Sequence, residues 1–195
     1  MRLLLCLPAL FAALLAHAEP SPALRELGVQ QTAFTPYDRY LADVRAVFDR
    51  PSGGPASLTL ACHLLEQARH FRYESRDPRR PDPPEFTEKR HAGDCKSKAL
   101  WLYRGLNDRT ALFVIGKAAA GAKISHAWVY WRHEERWWIL DPTTRAEPVA
   151  VDTVSPKRYV PYYSWGKEGA YRHHSTRLLL PADPTPAIAA PRSGR

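Results

Sequence analysis

The sequence predicts an α+β fold, with helices first and strands after, on three observations. Residues 37–50, 57–71 and 94–106 carry apolar side chains at helical spacing. Residues 125–132 and 135–141 are short aromatic-rich runs around the polar pair His133-Glu134, the pattern of a hairpin. Proline and glycine punctuate the chain between these segments, most clearly at Pro51-Ser52-Gly53-Gly54-Pro55.

In chain order, Glu19 to Thr35 shows little periodicity and is expected to run along the surface. In the first helix, Tyr37, Tyr40, Leu41, Val44 and Phe48 share one face. In the second, over Ser57–Phe71, the stripe is Leu58, Cys62, Leu65 and Ala68, and Cys62 reads there as a small buried apolar residue. Residues 76–90 are rich in proline and charge and read as an irregular loop. Asp94 is a good N-cap for the third helix, whose stripe runs from Cys95 through Ala99, Leu102, Tyr103 and Leu106. Ala111–Ile115 is a short strand, Lys117–Lys123 a flexible link, and the hairpin follows, ended by Pro142. One or two more strands are expected before Leu180.

A chain of 195 residues suffices for one domain with a real core and is short for two. A hydrophobic fraction of 45% excludes global disorder. Residues 1–18 read as a secretory signal peptide: Met1-Arg2, an apolar run from Leu3 to Leu15, then Ala16-His17-Ala18. The run is short of the roughly 20 residues that span a bilayer. The mature chain is therefore expected to be exported, periplasmic or secreted, with no integral membrane segment. The expected division is an N-terminal extension with a helix over 19–55, the main domain over 56–180, and a fraying tail over 181–195. Only Cys62 and Cys95 remain after cleavage, too few for a disulfide scaffold. The net charge of +8 is densest at Arg76, Arg79, Arg80, Lys89 and Arg90. This reads as a solvated basic surface or as affinity for an acidic surface polymer. No nucleic-acid motif is present, and nucleic acid is excluded as a partner.

Three residues carry the chemistry. Cys95 heads a helix, where the positive end of the backbone dipole stabilises a thiolate. Lys96 and Lys98 act in the same direction and Asp94 against it. His126 opens one strand of the hairpin and Asp141 closes the other. With His133-Glu134 as the loop, His126 and Asp141 become direct cross-strand partners, Trp128 faces Ile139, and Tyr130 faces Trp137. An imidazole beside a carboxylate is oriented and stabilised as imidazolium. The third helix, packed on that face, would bring thiol to imidazole and complete a Cys–His–Asp set.

Gly93-Asp94-Cys95-Lys96-Ser97-Lys98-Ala99, Ser125-His126-Ala127-Trp128-Val129 and Trp138-Ile139-Leu140-Asp141-Pro142-Thr143 resemble the core of the transglutaminase-like superfamily. Phe71-Arg72-Tyr73 through Pro83-Pro84-Glu85-Phe86 is similar to the segment before the cysteine motif in its exported bacterial cysteine peptidases. The resemblance spans about Leu58 to Thr143. It implies a papain-like/transglutaminase core, with the nucleophile helix packed on an antiparallel sheet. It also implies acyl transfer on peptide or protein amides through a thioester acyl-enzyme, with no cofactor. Cys95 would be nucleophile, His126 general base and acid, and Asp141 the orienting carboxylate. The chain departs from the pattern by lacking the tryptophan that often precedes the cysteine motif. The calcium ligands of some relatives have no counterpart. The backbone N–H of Cys95 is one oxyanion donor, and Gln67 is the side-chain candidate for a second. Trp128, Tyr163 and Trp165 are candidate cleft residues, ordinary packing being the alternative for the last two. Two other functions compete: a catalytically silent module that docks a protein or wall polymer, and a metal site built on the same three residues, for which no fourth ligand is evident.

Overall fold

The computed structural model describes residues 22–50 and 53–174. The expected signal peptide and tail, and part of the 51–55 break, lie outside the described residues. The elements in chain order are α1 (Pro22–Glu26), β1 (Val29–Thr32), α2 (Asp38–Leu41), α3 (Ala46–Asp49), α4 (Leu58–His70), β2 (Arg72–Tyr73), α5 (Pro84–Arg90), β3 (Ala92–Gly93), α6 (Cys95–Leu106), β4 (Leu112–Ala119), β5 (His126–His133), β6 (Arg136–Leu140), β7 (Val149–Ala150), β8 (Arg158–Gly166) and β9 (Gly169–His173). Apart from β1 and the short β2 and β3, helices lead and strands follow, in a mixed α+β architecture.

Seven strands form one antiparallel sheet in the order β1-β9-β8-β4-β5-β6-β7. Alternation along each strand divides its side chains between two cores. Phe113, Ala127, Val129, Trp131, Leu140 and Trp165 face α4, α6 and the 38–49 segment. Leu112, Val114, Trp128, Tyr130, Trp137, Ile139 and Tyr171 face the other way, covered by Leu24, Leu27, Val151 and Val154. α6 is therefore enclosed between the sheet, α4 and α5, with Ala99, Leu100 and Leu102 fully buried.

Several expectations are corrected. Glu19–Thr35 does not simply follow the surface, because β1 pairs with β9 at the sheet edge. The helix expected over 37–50 is broken into α2, a 3₁₀ turn at Ala42–Val44 and α3. The tighter turn keeps Leu41 and Val44, three apart, on the buried side together with Phe48. β1 and this segment share the sheet and core of the later residues, so residues 22–50 pack with the main domain. In α4 the buried stripe is Ala61, Leu64, Leu65 and Ala68; Leu58 is exposed and Cys62 half-buried. The stripe is rotated from the expected one: Leu65 and Ala68 are kept, and Ala61 and Leu64 take the places of Leu58 and Cys62. Part of the 76–90 loop is a helix, α5. Pro84 sits in its first turn, where a missing N–H costs nothing. β4 runs on to Ala119, through part of the expected flexible link.

The hairpin register is also corrected. Tyr130 pairs with Ile139, Trp131 with Trp138 and His133 with Arg136. The turn is Glu134-Glu135, both in left-handed backbone at φ 47° and 63°. Two such residues match the twist of the flanking strands, but the sequence places neither glycine nor asparagine there to announce it. The slip is two residues. Because side chains alternate with period two, it leaves every residue on its expected face and changes only its partner.

Candidate active site

Cys95 is the first residue of α6. Asp94 precedes it in extended backbone, and its Oδ1 accepts from the Ser97 N–H at 3.2 Å and the Ser97 hydroxyl at 3.1 Å. This N-cap, worth about 1 kcal/mol, fixes the helix start at the thiol. Gly93 makes the approach possible: a Cβ there would lie 2.9 Å from Ser97 Cβ and 3.3 Å from Thr87 Cγ2. Asp94 Oδ2 accepts from Ser75 Oγ at 3.1 Å and is ion-paired with Lys96, which offsets its charge beside the thiol. Lys98 does not point at the thiol. It is buried and its ammonium caps α4 by donating to the Phe71 carbonyl. Burial, aided by the charge of Arg69, lowers its pKa.

His126 and Asp141 meet across the hairpin. Since the register is slipped, they are diagonal rather than direct partners, on one face, and Asp141 lies just past the end of β6. His126 Nε2 to Asp141 Oδ2 is 2.8 Å. Asp141 is fully buried and saturated with donors: the Tyr159 hydroxyl at 2.8 Å, the Thr144 hydroxyl, and the backbone N–H groups of Thr143 at 3.0 Å and Thr144 at 3.3 Å. Burial alone would push its pKa up. The bond and charge of His126, with the threonine donors, outweigh this and hold it below the ordinary carboxylate value. For His126, burial works against the charged ring, but the bonds to Asp141 and Cys95 and their negative charges carry its pKa up to about 9. Cys95 and His126 line the same cleft, so thiol and imidazole share it. With Nε2 committed to Asp141, Nδ1 is the nitrogen left to face the sulfur.

Gly116, opposite His126 on β4, lets the sheet close here. A Cβ would lie 2.2 Å from the Val160 carbonyl oxygen and 2.7 Å from the Trp128 ring, at a register shift between β4 and β8. Trp128 is fully buried and its ring is stacked on His126 at 6.1 Å. The face carrying His126 and Trp128 is the one turned away from α6, contrary to the expected docking. His126 reaches the thiol because it stands at the first position of β5, beside the helix start.

The cleft in front of Cys95, about 400 Å³, is lined by Tyr37, Tyr40, Tyr73, Arg79, Ile124 and His126, among others. Trp128, Tyr163 and Trp165 do not line it. Tyr163 and Trp165 belong to the core beneath Tyr37, in edge-on ring contacts at 5.8 and 6.0 Å. Gln67 is exposed on α4, also outside the cleft. Within the basic patch, Arg76 pairs with Asp82, Arg80 with Asp43 and Arg90 with Glu74. Among the described residues no group of three or more His, Cys, Asp or Glu side chains could hold a metal ion, and no helix is long and apolar enough to cross a membrane.

Sequence reasoning missed Tyr159 and Thr144. Tyr159 is buried at the start of β8 in left-handed backbone, φ 49°, with its hydroxyl on Asp141 and bonded by Arg145 Nε at 3.2 Å. A bulky residue held there is strained, and such strain collects where a side chain must be aimed. No local signal marks it in the sequence. Thr144 was readable in principle, as a hydroxyl three residues after a buried aspartate.

No protein-family model matches the chain, and no curated protein does. Among solved structures it is similar to LapG of Legionella pneumophila. One form is 17% identical over 74% of this chain and 85% of that one, with a TM-score of 0.48. An EGTA-treated form is 16% identical over 76% and 84%, with a TM-score of 0.49. A candidate cysteine protease of Cytophaga hutchinsonii is 15% identical over 63% of this chain and 44% of that one, with a TM-score of 0.37.

Proposed function

We propose that the protein is an exported cysteine peptidase or amidase of transglutaminase-like type. It would cleave or transfer acyl groups of peptide or protein amides through Cys95, His126 and Asp141. The observation that carries this reading is one constellation. A half-buried thiol at a capped helix start shares a cleft with an imidazole that is 2.8 Å from a buried, fully hydrogen-bonded carboxylate.

The reaction follows from these groups. Cys95 as thiolate attacks the amide carbonyl carbon, forming the C–S bond while the carbonyl π electrons move to oxygen. The helix-start N–H of Cys95 faces the resulting oxyanion. The His126 imidazolium gives its proton to the amide nitrogen, the C–N bond breaks, and the amine leaves a thioester. Neutral His126 then takes a proton from water, or from an amine, as it attacks the thioester; Cys95 departs as thiolate. Asp141 holds the imidazole in one orientation and favours its charged form throughout. Hydrolysis and transamidation share every step up to the thioester.

The test is the pH dependence of iodoacetamide alkylation in the mature protein, read by mass spectrometry, with half-buried Cys62 as internal control. Fast labelling of Cys95 well below the free-thiol range of about pH 8.5, lost in His126→Ala, is the expected result. Labelling of Cys95 at the rate of Cys62 would instead mean a silent module on the same fold.

A further inference from the structure

Two residues before the nucleophile, a second chain segment is bound to its approach. α4 ends at Phe71, whose carbonyl is held by the Lys98 ammonium. The chain then forms β2, parallel to β3, with Tyr73 paired to Gly93. Backbone bonds from Arg72 N–H to the His91 carbonyl at 2.8 Å and from Glu74 N–H to the Gly93 carbonyl at 3.3 Å bracket Tyr73 on both sides. The strand pair is only two residues long, and its effect is local: it fixes Tyr73 next to the helix start.

The Tyr73 ring forms part of the cleft wall, yet 58% of the residue is exposed, so it contributes little to the core. The ring stands on the wall of the same cleft as Cys95, Asp94 and His126, and the charge of Cys95 acts on its hydroxyl. A phenol with little packing duty, on the wall of the cleft that holds the nucleophile, is placed for a chemical use.

We propose that Tyr73 is the second oxyanion donor, its O–H and the Cys95 N–H together binding the oxygen of the tetrahedral intermediate. The proposal rests on the cysteine-peptidase reading above and completes it. In the resting enzyme the phenol faces the cleft beside Cys95. As sulfur bonds to the carbonyl carbon, negative charge passes from sulfur to the former carbonyl oxygen, and the O–H turns to follow it. When the C–N bond breaks, the electron pair returns to the carbonyl and the phenol keeps its proton. Partial burial and the negative charges of Cys95 and Asp94 raise the Tyr73 pKa, so it stays a donor over the working range. The role is one that Gln67 cannot fill from its exposed position on α4.

The test uses Tyr73→Phe in the mature chain. Three quantities are compared with wild type: turnover of acetyl-dipeptide coumarylamides, affinity for the matching acetyl-dipeptide aldehydes, and iodoacetamide alkylation of Cys95. Aldehydes add to the thiol and place an oxygen in the oxyanion position; iodoacetamide alkylates sulfur without forming one. The expected result is a fall of about 10²–10³-fold in kcat, as for loss of one such donor. Aldehyde affinity should drop comparably, with KM and alkylation rate within about twofold. Wild-type kcat and aldehyde affinity in the variant would overturn the proposal and leave the peptidase reading standing. An equal loss in alkylation would overturn it too, assigning Tyr73 to the thiol rather than the oxyanion. A wild-type protein that turns over no coumarylamide, binds no aldehyde and alkylates Cys95 no faster than Cys62 would remove both.

Discussion

Two histidines on one sheet are built alike and end in opposite states. His126 opens β5 and His173 closes β9; His173 is buried and His126 mostly so, and both have a ring nitrogen on an oxygen, at 2.8 Å to Asp141 and 3.0 Å to the Ser164 hydroxyl. Burial lowers both pKa values. At His173 it prevails, with the charge of His174 adding to it against a backbone contact at Leu27, and the pKa falls to about 3. At His126 the carboxylate and the thiol overturn it and the pKa climbs to about 9. Ser164 and His173 form a hydroxyl–imidazole pair of the kind found in hydrolases, but both are buried and a serine hydroxyl carries no charge to hold a proton on the ring. The partner's charge, rather than burial, separates the two imidazoles.

Asp141→Asn puts this lesson to its strongest test, because it leaves His126 with a neutral partner, as His173 has. We expect kcat/KM to fall by about 10⁴-fold, as when a triad aspartate loses its charge. NMR titration of labelled histidine should find the His126 pKa far below 9. An imidazole that still titrated near 9 would show that Asp141 is not what charges it.

The pH profiles follow with signs opposed. Below about pH 9 His126 holds the proton that the leaving amine needs; above it, acylation should fail while alkylation of Cys95 continues. For folding, a raised pKa means stability fully present below the unfolded value near 6.5 and lost as pH rises through about 9. His173 is depressed, so its contribution is present above 6.5 and lost as pH falls toward about 3, at about 1.4 kcal/mol per pH unit. Denaturant midpoints against pH should therefore fall on both sides. His173→Asn should flatten the acid limb alone, whatever it does to absolute stability. An unchanged acid slope in that variant would mean other groups carry it.

The comparison also shows why one histidine was legible in the sequence and the other was not. His126 stands in Ser-His-Ala-Trp, a hairpin strand whose partner strand ends in Leu-Asp-Pro, and its face survives a two-residue register slip because alternation has period two. The turn itself was misplaced, since two glutamates in left-handed backbone give no composition signal. The α6 start was readable from Asp94 and the apolar stripe behind Cys95. Tyr163 and Trp165 could not be placed, because aromatic residues in a β-strand look the same whether they line a cleft or a core. Tyr73 and Tyr159 are brought to Cys95 and Asp141 by tertiary structure, which no spacing encodes.

Gly116→Ala breaks the His126 side of the comparison mechanically. The added carbon meets the Val160 carbonyl oxygen and the Trp128 ring, so β8 must shift or the indole must move from its stack on His126. Overpacking of this kind costs about 1–3 kcal/mol. We expect thermal denaturation to show that loss together with reduced kcat. A loss of stability with full kcat would show that the stack does not position the ring.

Ser164→Ala is the matching change on the other side, and the mildest. It removes one neutral hydrogen bond to His173 and no charge. The cost should be about 0.5–1.5 kcal/mol, with the missing oxygen leaving a gap smaller than a methyl group. Ser164 is fully buried on β8, beside β9, and no substrate can reach it, so kcat and KM should match wild type. A serine that contributed to catalysis would show as a fall in kcat larger than the loss of folded protein explains. If that were found while Cys95 alkylation stayed fast, the two histidines would not be separated by their partners as argued, and the sheet would hold two coupled sites instead of one site and one strut.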